Sequence, residues 1–121
     1  MVSHQLLQDQ GVLIVRPQGA LEAEDFAGIA AAVDPFIDKQ GGLRGLLIEA
    51  ESFPGWRDFA GLVSHMQFVR NHHKHIKRVA AVTDSAFGAI APSVASHFTA
   101  ADVRHFPFAE REAAMAWLLD Q

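Results

Sequence analysis

The spacing of apolar and polar residues along the chain changes period several times, and each change marks an element. "HQLLQDQGVLIVRPQG" (4–19) reads as two short strands joined by a turn at Asp9-Gln10-Gly11. Val12 to Val15 form an unbroken apolar run, the pattern of a strand covered on both faces, and Pro17 and Gly19 end it. From Glu22 to Gln40 the period becomes helical, with Phe26, Ile29, Val33, Phe36 and Ile37 at helix-face spacing. Pro35 lies inside that pattern and is expected to bend or shorten the helix. Gly41-Gly42 marks its C-terminal stop. "LRGLLIEA" predicts a buried strand over Gly45 to Ala50, and "ESFPGW" a turn. A helix from about Asp58 carries Phe59, Leu62, Val63, Met66 and Val69 on one stripe. "IKRVAAVTD" is the next strand, and "SAFGAIAPSVASHFTAA" the next helix-like segment, divided at Pro92. "VRHF" is a last short strand, and "AEREAAMAWLLDQ" a closing helix with Ala113, Ala116 and Trp117 on one side.

The order ββαβαβαβα predicts a single α/β domain over residues 1–121, with about five strands and four helices. Strands alternating with helices imply a mostly parallel sheet with right-handed crossovers, and the first hairpin supplies an antiparallel edge. The chain shows no internal repeat, low-complexity tract or linker.

Composition removes several function classes. The 121 residues include no cysteine, which excludes disulfides, thiolate zinc sites and cysteine nucleophiles and fits a reducing compartment. Fourteen acids against ten Lys plus Arg argue against a dedicated nucleic-acid binder. The N-terminus has no basic n-region, so no cleaved signal peptide is expected, and no apolar run has the length of a membrane span. A cytoplasmic protein is expected.

One stretch runs against the net charge of −4: "RNHHKHIKR", Arg70 to Arg78, holds three of the seven histidines. Zinc needs three or four converging ligands. On the helix His65 and His72 share a face, but seven residues separate them by roughly 10 Å of rise. On a strand His73 and His75 share a face without an identifiable third ligand, so no metal is expected. Cations at a helix C-terminus meet unsatisfied carbonyls, which places Arg70, His73 and Lys74 at the end of the helix from Asp58. The same run supplies four candidates for an anionic surface, Arg70, Lys74, Lys77 and Arg78.

Other features admit two readings each. Phe53 and Trp56 flank Pro54-Gly55, as core that folds back or as a hydrophobic rim or interfacial anchor. Phe68 falls opposite Phe59, Val63 and Met66 on the wheel, either a lone exposed aromatic or the contact through which a homodimer forms. The glycine- and proline-interrupted stretch with Phe87, Ile90 and Val94 reads as a mobile flap or as an irregular connection on the sheet. Asp84, with Ser85 beside it, is a helix N-cap or a ligand-facing residue at a strand end. No GxSxG elbow, P-loop or GxGxxG occurs, and no nucleophile, base and orienter fall together, so an enzyme is not expected.

The stretches "GALEAEDF" (19–26), "LRGLLIEAESFPGW" (43–56), "HIKRVAAVTD" (75–84), "AADVRHF" (100–106) and "EAAMAWL" (112–118) resemble the SpoIIAA-like family of the STAS fold, small bacterial proteins. The resemblance implies a non-enzymatic module without a cofactor, and this branch is similar to CRAL-TRIO lipid-transfer domains. It implies a helical pair that moves off the sheet and exposes an apolar cleft. Phe59, Leu62, Val63, Met66, Phe87, Ile90 and Val94 would line that cleft, with Phe53 and Trp56 at the rim. The occupant expected is a lipid-like or amphipathic small molecule, with peripheral association at the inner face of the membrane. The alternative is a protein-interaction switch of the anti-sigma-antagonist type regulated at Ser52. The Asp-Ser-Ser/Thr-Gly motif of those switches is absent from Glu51-Ser52-Phe53-Pro54.

Overall fold

The computed structural model describes residues 2–18, 21–50, 68, 75–83 and 102–120. Five strands form one sheet in sequential order: β1 (Val2–Leu7), β2 (Val12–Pro17), β3 (Leu43–Glu49), β4 (Ile76–Val82) and β5 (Asp102–Phe106). β1 runs antiparallel to β2, with Leu7 opposite Val12, and the other three pairings are parallel. The predicted α/β sheet with one antiparallel edge is therefore present. Two helices lie among the described residues, α1 (Ala23–Gln40) and the closing helix α2 (Arg111–Leu119). The helices predicted from Asp58 and from Ser85 fall outside the described residues, except for helical Phe68.

The strand patterns follow from their positions. β2, β3 and β4 are covered on both faces and read as near-continuous apolar runs. The edge strands carry exposed His4 and Gln5 on β1, and Asp102, Arg104 and His105 on β5, polar groups that discourage pairing with another chain.

Leu13, Leu46 and Val79 pack on Ile29, Val33 and Ile37 of α1. On the opposite face Val12, Ile14, Leu47, Ala80, Val82 and Phe106 pack on Ala114 and Leu118 of α2. The buried stripe of α2 is thus Ala114 and Leu118; Ala113 and Ala116 are exposed and Trp117 is half-buried. Alanines at four positions of the segment blurred the helical wheel, and the large residue Leu118 is what the sheet selects.

Several local devices hold α1 in place. The Asp25 carboxylate accepts the backbone N–H of Glu22 at 2.8 Å and that of Val2 at 3.2 Å, capping the helix and tying β1 to it. Gly41 closes the helix in the left-handed region (φ 87°), its N–H donating to Ile37 O at 2.7 Å. Pro35 neither ends nor shortens α1, which runs through it for 18 residues. Pro35 is exposed, so the carbonyl it leaves without a partner is on the side that water reaches.

Candidate functional site

Parallel strands end on one edge of the sheet, and that edge is where open α/β folds place ligands. Here it gathers charge. Arg16 and Glu49 follow Val15 and Ile48, which are register partners on β2 and β3. Arg16 Nε donates to Glu49 Oε1 at 3.2 Å. Arg111 Nε, from the first residue of α2, approaches Glu49 Oε2 at 2.9 Å as an ion pair without hydrogen-bond geometry. One carboxylate, 16% exposed, is held between two guanidinium groups and links β2, β3 and α2. Beside it His105 Nε2 donates to the buried Thr83 carbonyl at 2.7 Å, and Thr83 N–H donates to Phe106 O at 3.0 Å. These contacts close the ends of β4 and β5. They supply charge and hydrogen bonds but no paired nucleophile and base.

On the α1 face the sheet is apolar at Val15 and Ile48, just inside this edge, and at Val103, which pairs with mid-strand Val79. Val15, Ile48 and Val103 belong to the sheet yet stay half-buried, packed at the margin of the α1-side core. Phe68 joins them. Its ring lies 6.1 Å from that of Phe26 with an interplanar angle of 47°, a tilted aromatic pair. The wheel placed Phe68 on the outward face; the structure turns it inward onto α1, so the second-copy contact loses the exposed ring it was drawn from.

Of the sequence-predicted site residues, Ser52, Phe53, Trp56, Phe59, Leu62, Val63, Met66, Arg70, Lys74, Phe87, Ile90 and Val94 lie outside the described residues, as does Asp84. The two remaining cations, adjacent on β4, separate to opposite faces. Lys77 is exposed. Arg78 is half-buried against α2, where its Nη1 donates to the carbonyls of Trp117 at 2.6 Å and Asp120 at 2.8 Å, and its guanidinium lies 5.0 Å from the Trp117 ring centroid. Arg78 therefore caps the C-terminus of α2. Among the described residues no group of three His, Asp or Glu side chains could hold a metal ion, and no helix is long and apolar enough to cross a membrane.

The Arg16–Glu49 pair escaped the sequence reading although a signal existed. Opposite charges end the apolar runs "VLIVR" and "LLIE", and strands entering a parallel sheet in sequence bring such ends together. Arg111 had no comparable signal, because its partner is 62 residues away and the sequence alone does not orient α2.

A family model described as SpoIIAA-like matches residues 12–119. Among solved structures, the chain is similar to an uncharacterized protein with a SpoIIAA-like fold from Shewanella loihica PV-4. The identity is 22%, the TM-score is 0.72, and the match covers 98% of this chain and 92% of that one. No curated protein matches the chain. With nearly the whole sheet and both described helices inside the matched span, the chain belongs to the SpoIIAA-like family.

Proposed function

We propose that this protein is a non-enzymatic binding module whose α1 face receives the apolar part of a lipid-like or amphipathic small molecule. The observation that carries the proposal is the half-buried apolar margin formed by Val15, Ile48, Val103 and Phe68 on a sheet face whose central positions are fully buried. Arg16, Glu49 and Arg111 cluster at the same strand ends but on the α2 face, so an amphiphile on the α1 face would lay its apolar chain on the sheet and leave its polar end in water. The cleft residues expected from the sequence, Phe59 to Met66 and Phe87 to Val94, belong to this proposal, as do the likeness to CRAL-TRIO domains and peripheral membrane attachment through Arg70, Lys74 and Lys77.

Native mass spectrometry of gently purified protein tests it. The expected result is a retained small molecule, released when the protein unfolds and extractable into organic solvent. Flotation with anionic vesicles tests the membrane component, with salt-sensitive binding that weakens in the double variant Arg70→Glu, Lys74→Glu. Protein that carries no adduct and takes up no added fatty acid or phospholipid would overturn the proposal. A phosphate mass increment in place of an amphiphile would favour the Ser52 switch.

A further inference from the structure

At the opposite edge of the sheet, where β3 and β4 begin, a groove of about 450 Å³ lies between the end of α1 and the β1–β2 turn. Its volume falls within the range of about 300–1,000 Å³ usual for small-molecule sites. We infer that this groove binds a neutral, hydroxyl-rich small molecule, a sugar ring or a cyclic polyol. The inference is independent of the apolar margin, which lies toward the other end of the strands.

Backbone bonds fix the walls. Gly11 O accepts the N–H of Arg44 at 2.8 Å and that of Gly45 at 3.2 Å, while Gly11 N–H donates to Leu7 O at 2.8 Å. The β1–β2 turn is thereby held against the start of β3. On the other side Gly41 ends α1, and a Cβ there would meet nothing within 4 Å, so the space beside it is open. A ligand entering here has little of the protein to order, which lowers the cost of binding.

The lining mixes acceptors with donors. A helix directs its last carbonyls toward its C-terminal end, which here is the groove. Gly41 N–H serves Ile37 O, whereas the carbonyls of Asp38, Lys39 and Gln40 accept no backbone N–H among the described residues. With the Asp9 carboxylate they make one side acceptor-rich and negative, which disfavours an anion. Lys77, beside Arg44 in the β3–β4 register, brings donors to the other side and balances that field. Three exposed carboxamides, Gln8, Gln10 and Gln40, each offer both a donor and an acceptor. A hydroxyl group is also both, so a neutral molecule carrying several of them matches this lining. Phe36 supplies the apolar component: half-buried against the α1-side core, it also lines the groove. Its ring offers a flat surface to the C–H face of a sugar or cyclic polyol, and the amides around it fix orientation.

Amide chemical-shift titration of the isotope-labelled protein tests this with three probes at millimolar concentration: D-glucose, myo-inositol and glucose 6-phosphate. Saturable shifts are expected with at least one neutral probe, centred on the side-chain amides of Gln8, Gln10 and Gln40 and on the backbone of Gly41 and Gly42. Glucose 6-phosphate should bind no more tightly than glucose. Phe36→Leu, which keeps an apolar side chain against the core, should weaken binding about fivefold or more. Gln10→Ala and Gln40→Ala, both at exposed positions, should each weaken it several-fold, with thermal unfolding reporting that the fold is retained. Shifts that fail to saturate with either neutral probe, tighter binding of the phosphate ester, or wild-type affinity in all three variants would overturn the inference.

Discussion

The two faces of the sheet are built from the same strands and end in different states. On the α2 face a nine-residue helix closes the surface: Leu118 is fully buried, and Trp117 packs on Phe106 with ring centroids 5.9 Å apart. The half-buried apolar residues there are Leu7 and the helix's own Met115, Trp117 and Leu119, not the central strands. On the α1 face a helix twice as long leaves the sheet residues Val15, Ile48 and Val103 half-buried. Helix length does not decide coverage. On the α2 face, close docking of the helix rests on two residues. Gly45 has no side chain, and a Cβ there would lie 2.8 Å from Leu118 Cδ2, so the glycine is what lets α2 settle onto β3. Arg78 then fastens the far end of α2 through two backbone carbonyls. The closed face is structural, and the margin of the other face is where a ligand has something to gain.

This contrast can be broken from the closed side first. Leu118→Ala should cost about 2–5 kcal/mol, since the residue is fully buried and the surrounding sheet cannot collapse into the space; urea denaturation would read it. Gly45→Ala should cost about 1–3 kcal/mol by pushing α2 away from β3, and the companion change Leu118→Val should recover part of that loss in a double-mutant cycle. Arg78→Met should cost about 1.5 kcal/mol, with the loss appearing as faster hydrogen exchange in the last turn of α2. On the open side Phe68→Ala should cost least, about 1 kcal/mol, because its ring is only half-buried against Phe26. That variant should nonetheless change uptake of a fluorescent fatty acid several-fold, whereas Arg78→Met should leave uptake unchanged. Equal effects of the two variants on uptake would erase the distinction between the faces.

Much of the fold was legible in the sequence. Of the stripe, Phe26, Ile29, Val33 and Ile37 became the buried side of α1 with Phe36 half-buried beside them, and the strand ranges shifted by only one or two residues, as with β3 beginning at Leu43 rather than Gly45. Pro35 misled because its effect depends on which side of the helix loses the carbonyl partner, and the exposed side tolerates it. Phe68 misled because its turns were read against Phe59 and Met66 alone, without α1 as a second packing surface. The candidate site was less legible: Arg16 with Glu49 follows from strand register, whereas Arg111 and Arg78 depend on where α2 docks.

By itself the sequence determined periodicity, and with it the strands, the two described helices, the antiparallel edge and the family. These are local properties, fixed by which side chains recur every second or every third to fourth residue. The tertiary structure decided which cation remains exposed. Lys77 and Arg78 are adjacent in "HIKRV" and indistinguishable by composition. The alternation of a strand sends one to a groove beside Arg44 and the other to the carbonyls of α2, because consecutive side chains leave a sheet on opposite faces.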